Sequence, residues 1–381
     1  MSPFDAGLIL YSLSSVIYTC VVLWGNHISR PPDVCEDDGG HIRGVGLVIP
    51  AFNAGLSAGC MRETLAESRA AGLDAAVVDD GSAEPLDMTS LAARACGGLK
   101  LVRHHCNRGK AAALGTGIAA LTADVIVTVD ADTIVRERDF RLALNSFADR
   151  GVGALSLSLS VAPGGIIHWV QALEYRCILD FERRALAALG MVVTVPGAAS
   201  LWRRAALQQI GGFSARTMSE DTDATIGLRC AGWRIAVQPD AGAVTEAPGD
   251  WGRLLRQRKR WIWGNVQVAV RQLLDTIGAD RVGWPAIQFA TMTAWHLGAY
   301  LLASWGVVAI ALGQYSPTAQ VTTTFLLLLS ALRLYIALVV QGDSARSLPR
   351  AMLSSFVMQV VNVLAFWTGL ATGSAWRHRW T

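Results

Sequence analysis

Four stretches of the chain hold almost nothing but apolar side chains: Ala6–Trp24, Ala290–Gly313, Val321–Gln341 and Ala351–Thr372. Each runs about 18 residues or longer, the helix length that crosses roughly 30 Å of hydrocarbon. Only Arg333 interrupts, inside the third. Between Val45 and Asp132 the rhythm differs. Short apolar runs at Gly46–Pro50, Ala75–Asp79, Leu99–Val102 and Asp124–Asp130 alternate with helical patterns at Ala58–Ala71, Pro85–Ala95 and Arg108–Leu121. Continuous Val/Ile runs separated by helices predict an α/β unit, a mostly parallel sheet with helices on both faces. After Gly151 the alternation changes. Ile166–Leu189 reads as helix, Pro196–Arg204 as a turn entering a new segment, Thr222–Ala231 as a short helix and Trp233–Pro239 as a strand. Trp251–Leu274 reads as a helix with an apolar side (Trp251, Leu254, Leu255, Ile262, Val266) and a basic side (Arg253, Arg256, Arg258, Lys259, Arg260). That pattern predicts a helix lying in the headgroup plane, the alternative being a surface helix with a solvated charged face.

Charge orients the apolar segments. The leader MSPFD carries Asp5 and no Lys or Arg, so the first segment is expected to be an uncleaved anchor rather than a signal peptide. Arg30, Arg346 and Arg350 flank one set of ends, while the connector 314–320 is uncharged. The positive-inside bias then predicts four spans, with the N-terminus outside and residues 30–284 cytoplasmic in a cell (inner) membrane. The tail sequence WRHRW departs from that bias. The resulting division is an anchor (1–29), a cytoplasmic domain (30–250), amphipathic interfacial helices (251–284) and further transmembrane helices (285–381). Tryptophans near span ends suit an interfacial belt, whereas Trp295 and Trp305 are expected inside the bundle. Composition agrees: 52% hydrophobic residues and a mean hydropathy of +0.36. A net charge of +3 argues for no nucleic-acid partner. The seven cysteines form no C-x-x-C pair, which fits a reducing compartment and argues against a zinc site.

Candidate chemistry lies at the predicted strand ends, where open α/β sheets bind ligands. Asp130-Ala131-Asp132 is a D-x-D; its carboxylates suit a divalent cation that neutralises a diphosphate. Asp79-Asp80-Gly81-Ser82 is either a turn or a site recognising a nucleotide base and ribose. Asn107-Arg108-Gly109-Lys110 opens a helix and suits a phosphate, although it lacks Walker spacing. No G-x-G-x-x-G follows a strand, so a nicotinamide enzyme is a poor reading. Ser219-Glu220-Asp221 offers a carboxylate base, or alternatively a cap formed by Thr217 with Glu220. Gln257, Arg260 and Trp261 share one helix. Arg260 can stabilise a diphosphate, and Trp261 offers a flat face to a sugar ring.

Together these motifs resemble family 2 glycosyltransferases of the processive membrane synthase group, which includes chitooligosaccharide, hyaluronan, poly-N-acetylglucosamine and cellulose synthases. The resemblance spans Val45 to Gly264 and rests on VIPAFN, VVDDGS, NRGKAAAL, VDADT, LEYR, VPGAASLWRR, IGGF, SEDTDATIGLRCAGWRI, TEAP and RQRKRWIWG. It implies a GT-A-like fold and inverting, processive transfer of a sugar, nearest to GlcNAc, from a UDP-sugar to a growing β-linked chain, with Mg2+ or Mn2+. It implies Asp221 as base with Glu220 beside it. Pro50, Asn53, Asp79, Asp80, Lys110 and Asp130 would hold the donor, and Asp132 the metal. Gly197 and Ala198 would leave room for the acceptor sugar, and Gln257, Arg260 and Trp261 would close around diphosphate and acceptor. Phe52 stands where the family often has Tyr, MSED (Met218–Asp221) where T-E-D is usual, and Gly115 where Asn is frequent. Four spans are few for enclosing a polysaccharide channel, which favours short products or a channel built by several subunits. Two other readings share these residues: single-sugar transfer to a membrane lipid, and an inactive nucleotide-sugar-binding subunit. A transporter would need more polar groups within the spans.

Overall fold

The computed structural model describes residues 2–29, 44–55, 58–87, 98–277 and 283–373. The first element, α1 (Pro3–Ile28), opens with a capping box in which the Asp5 amide donates to Ser2 Oγ and the Ser2 amide donates to the Asp5 carboxylate. The α/β domain follows: β1 (Val45–Ala51), α2 (Ala58–Ala70), β2 (Asp74–Asp79), β3 (Leu99–Arg103), α3 (Lys110–Ala120), β4 (Val125–Val129), β5 (Thr133–Val135) and α4 (Glu137–Asn145). Then come β6 (Val152–Val161), α5 (Ile166–Glu174), a π turn (Tyr175–Asp180), α6 (Phe181–Ala188), β7 (Ala199–Arg203), α7 (Arg204–Gln209), α8 (Glu220–Cys230) and β8 (Arg234–Thr245). The chain ends in α9 (Trp251–Ile277), α10 (Trp284–Ala311), α11 (Pro317–Val340) and α12 (Leu348–Ala371).

The eight strands form one sheet in the order β3-β2-β1-β4-β7-β6-β8-β5. The four strands on the β3 side run parallel, as the unbroken apolar runs of β1, β2 and β4 require, while β3, with Lys100 in its middle, is the half-exposed edge strand. Successive side chains serve opposite faces. Leu47, Ile49, Val77, Val125 and Val127 join the core with Met61 and Leu65 of α2, while Val48, Ala76 and Ile126 pack with Leu114 of α3. Burying each such Val, Leu, Ile or Met side chain stabilises by about 1.5–3 kcal/mol. Past β4 the sheet turns mixed, because β7 is antiparallel to both β4 and β6, β8 is parallel to β6, and β5 is antiparallel to β8. The sequence reading missed β6. Its signal is present as Leu155, Leu157 and Leu159 alternating with Ser156, Ser158 and Ser160, a period of two rather than a continuous run.

Four helices are long and apolar enough to cross a membrane: α1, α10, α11 and the helix containing α12. Their ends alternate. Asp5 of α1 meets Ser316 before α11 at 2.5 Å, whereas Gln341 and Asp343 after α11 hold Arg176 of the α/β domain. The first contact lies at the end of the bundle remote from that domain and the second at the near end.

Four expectations need correction. Arg258 does not join a basic outer face of α9; it is buried and paired with Glu174 at 2.7 Å. Trp251, expected on the apolar side, is half exposed, while Leu254, Ile262 and Val266 of that same side pack against α10 and α12. Trp295 lies in the bundle, donating to Ser14 at 2.9 Å, but Trp305 is 61% exposed. The helix expected at Pro85–Ala95 is absent through Asp87, and residues 88–95 lie outside the described residues. Arg30, Cys35, Cys96 and the WRHRW tail lie outside them too.

Candidate active site

A cleft of about 240 Å³ opens at the carboxyl ends of β1 and β4, lined by Pro50, Asn53, Asp80, Lys110, Asp130 and Asp132 among others. The turn after β2 shapes one wall. Gly81 has φ +75°, and a Cβ there would come within 2.5 Å of the Cys106 backbone. That close approach lets Asp80 accept from the amides of Arg108 (3.0 Å) and Gly109 (2.8 Å), while its Oδ1 meets His104 Nδ1 at 2.6 Å. Asp80 therefore fixes the loop that delivers Lys110. Asp79 faces away from the cleft. It is fully buried, accepts from the Ser82 amide at 3.0 Å and lies 3.6 Å from Arg103. Asn53 also works within the loops, accepting from the Ala83 amide at 3.0 Å. Phe52, 43% exposed at the rim, and Asn107 also line the cleft. The sequence reading placed Asn107 in the phosphate-suited stretch Asn107–Lys110 but gave Phe52 no role, though an aromatic directly after an apolar strand was a usable signal.

Lys110 stands where three distant segments meet. Its Nζ lies 2.5 Å from Asp130 Oδ1 and 3.5 Å from Glu220 Oε1, and donates to the Gly197 carbonyl at 3.2 Å. Burial alone would lower the pKa of this ammonium; Asp130, Glu220 and Asp221 outweigh it and hold it raised. Asp221 Oδ2 accepts from the Gly197 amide at 2.8 Å, and Oδ1 from the Thr222 amide at 2.7 Å. The Asp130 amide in turn donates to Ala198 O at 2.9 Å. The turn at Gly197-Ala198 thus ties the D-x-D to the acidic start of α8. A Cβ on Gly197 would sit 2.8 Å from Lys110 Nζ and 3.1 Å from Asp221 Oδ2. Lys110 and Asp221 occupy the space that the missing side chain leaves. Thr217 does not cap α8; the N-cap residue is Ser219.

The cluster of Asp130, Asp132, Glu220 and Asp221 carries one ammonium. Burial first, and Asp130 second, raise the pKa of the Asp132 carboxyl to about 6; burial also raises that of Glu220. Apart from Thr133 Oγ1 at 3.2 Å and its own backbone amide, Asp132 has no hydrogen-bond or ion-pair partner for its carboxylate among the described residues. Such a surplus of carboxylate oxygen fits a hard divalent cation whose remaining ligands come from a diphosphate. The described residues hold no preformed group of three protein ligands.

Helix α9 covers the site on the side of the apolar helices, packing on α10 and α12. A Cβ on its Gly264 would meet Ser219 Oγ, so α9 and the start of α8 touch closely. Gln267 of α9 accepts from the Met218 amide at 3.0 Å. Arg260 favours the charged form of Glu220, and the Trp261 ring lies under Arg258 at 4.3 Å and beside Tyr175 at 6.4 Å. Gln257 Oε1 is buried and has no hydrogen-bond partner among the described residues. Of the residues singled out in the sequence, Lys110, Asp130, Gly197, Ala198, Glu220 and Asp221 converge through contacts, with Asp132 beside them. Asp79 stands behind the wall, and Gln257, Arg260 and Trp261 lie on the covering helix.

The family model described as glycosyl transferase family group 2 matches residues 125–340. The poly-β-1,6-N-acetyl-D-glucosamine synthase of Staphylococcus aureus (strain COL) is 29% identical over 177 residues, 46% of this chain and 43% of that one. The Staphylococcus epidermidis synthase of the same name is 25% identical over 215 residues, 56% of this chain and 52% of that one. The chain spans about half the length of the curated relatives it matches. A mannosyltransferase from Pyrobaculum calidifontis, solved with GDP-Man and Mn2+, has the same fold: TM-score 0.66 at 20% identity, covering 96% of this chain and 99% of that one.

Proposed function

The chain belongs to glycosyl transferase family group 2, and on that premise we propose that it transfers a GlcNAc-type sugar, with inversion, from a UDP-sugar to an acceptor at a membrane surface. The observation that carries this reading is the junction at Lys110, where the D-x-D, the Gly197 turn and the acidic start of α8 meet beside an open cleft. The two synthases named for poly-N-acetylglucosamine support GlcNAc as the sugar.

Pro50 and Asn53 border the nucleotide, and Asp80 keeps the Lys110 loop in place. Asp130 and Asp132 are the residues that would hold Mg2+ or Mn2+. Bound there, such an ion would neutralise charge on the diphosphate. Asp221 takes the proton from the acceptor hydroxyl as its oxygen bonds to the anomeric carbon. The bond from that carbon to the diphosphate breaks on the opposite side, and Arg260 meets the charge left on the diphosphate. Trp261 offers its face to the acceptor sugar, and Gln257 Oε1 is free to accept from a sugar hydroxyl. Repeated transfer would build a β-linked chain. The four apolar helices support a membrane location, and the positive-inside bias of the connectors supports a cell membrane with the α/β domain on the cytoplasmic side. A lipid-borne acceptor is the second reading, favoured by a cavity of about 390 Å³ lined by Trp261 and by residues of all four apolar helices.

The test incubates membranes bearing the protein with Mg2+ or Mn2+ and labelled UDP-sugars, with an Asp221→Asn control, and separates products by size and by extraction into organic solvent. A ladder or polymer from UDP-GlcNAc supports chain extension, and a single extractable species supports a lipid acceptor. No UDP release from any donor would sink the transferase reading.

A further inference from the structure

Below Trp261 lies a second, half-open chamber of about 390 Å³, lined by residues of α5, α6, α9 and all four apolar helices. Its upper part reaches Thr194, which hydrogen-bonds Thr222, the neighbour of Asp221, at 3.1 Å. Its lower part is lined by aromatic side chains including Tyr11, Tyr18, Trp295 and Tyr300.

The chamber contains two acids, Glu174 and Glu182, and three arginines, Arg183, Arg258 and Arg333. Both acids are matched. Glu174 pairs with Arg258 at 2.7 Å, and Glu182 with Arg333 at 3.3 Å. Arg183 is left over: it makes no hydrogen bond or ion pair with any described residue. The nearby Asp180 is held by Arg184 at 2.6 Å and by Ser158 at 2.9 Å. Burial lowers the pKa of the Arg183 guanidinium, and the fields of Asp180 and Asp221 do not restore it. A partly buried cation without a counter-ion is costly, and the cost falls when an anion arrives.

We propose that this chamber binds the acceptor, and that the acceptor is an amphiphile with an apolar tail and a phosphate or diphosphate held by Arg183. The reading rests on the transferase function proposed above for what reacts, but the binding does not require it. A guanidinium grips phosphate oxygens through two parallel hydrogen bonds. The aromatic lower wall suits the tail, Trp261 the first sugar, and the Asp221 end the reacting hydroxyl. A neutral glycan would leave the cation of Arg183 uncompensated. The donor's diphosphate belongs in the separate cleft at Lys110 and Asp130.

Calorimetric titration of the full chain in detergent tests this, with farnesyl phosphate, farnesol, inorganic phosphate and UDP as probes. Farnesyl phosphate is expected to bind about tenfold or more tightly than farnesol. Arg183→Gln should erase that difference, Arg183→Lys should retain part of it, and UDP affinity should change in neither. Equal affinity of wild type and Arg183→Gln for farnesyl phosphate would overturn the proposal. So would a parallel loss of UDP affinity, which would assign Arg183 to the donor, or inorganic phosphate binding as tightly as farnesyl phosphate. Failure of the transferase reading appears separately, as absent UDP release in a chain that still distinguishes the two prenyl probes.

Discussion

Asp221 and Asp132 are both acidic, yet their surroundings give them different work. Asp221 accepts two amide hydrogen bonds at the start of α8, which fix its orientation beside the Lys110 junction. An amide side chain keeps much of that geometry but cannot take a proton. Asp221→Asn is therefore expected to lower transfer by about a thousandfold, with UDP affinity nearly unchanged. UDP release and UDP calorimetry on the same preparation check both halves, and full activity would remove Asp221 from its role. Asp132 is almost without protein partners, and burial beside Asp130 makes its charge unfavourable until a cation arrives. Asp132→Asn is expected to weaken Mn2+-dependent donor binding roughly tenfold or more while metal-free binding stays constant. An unchanged metal dependence would place the ion elsewhere. These residues were legible in the sequence because the motifs carry them at recognisable spacing. The position of Lys110 between motifs was not, since it depends on a turn 87 residues away. The inward-facing carboxylate of Asp79 was equally hidden: a D-D pair at a strand end does not reveal which member points into the sheet.

At the scale of elements, the site depends on how α8 is held against α9. Arg216 performs this link. Its guanidinium grips Asp223 of α8 through two bonds, 2.7 and 2.8 Å, and Asp275 of α9 at 2.6 Å. Gln272 of α9 donates to the same Asp223 at 2.7 Å. Removing Arg216 leaves the buried Asp223 short of a cationic partner, a loss of about 2 kcal/mol or more. Because Asp221 sits two residues from Asp223, Arg216→Ala is expected to lower kcat about tenfold while the donor KM, set by the β1–β4 cleft, stays near wild type. A lower melting temperature with unchanged kcat would mean that the clamp holds only the fold. Elements with a strong period were legible: the parallel strands and the long helices follow the pattern within a few residues. Strand β6 was not sought at period two, and β5 is only three residues long. Helix α9 was misjudged for a physical reason. Its arginines look alike in sequence, but Glu174, 84 residues away, draws Arg258 into the interior.

The whole molecule is less divisible than its sequence suggests. A boundary after the α/β domain follows naturally from hydropathy, yet apolar clusters cross it, two of them on the side of α5 and α6. Phe181, Ala185 and Cys177 pack with Val22, Leu334, Ala337 and Leu338 of the apolar helices. Ile167, Val170 and Leu254 pack with Met358 and Val361. Cutting the apolar helices away would uncover the membrane-facing side of α5, α6 and α9. At about 1.5–3 kcal/mol for each large side chain, the loss is comparable with the roughly 5–15 kcal/mol that holds a domain folded. The same cut opens the chamber under Trp261 and removes Arg333 from Glu182. We therefore expect a fragment of residues 44–277 to aggregate or stay detergent-bound and to bind UDP poorly, whereas the full chain in detergent melts in one transition that UDP and Mn2+ raise together. Differential scanning calorimetry and gel filtration of both proteins decide the point. A soluble, monomeric fragment with wild-type UDP affinity would show that the catalytic unit is autonomous, and that the apolar helices only tether it. Failure of the fragment alongside one transition in the full chain would mean that the membrane bundle forms part of the active site's floor.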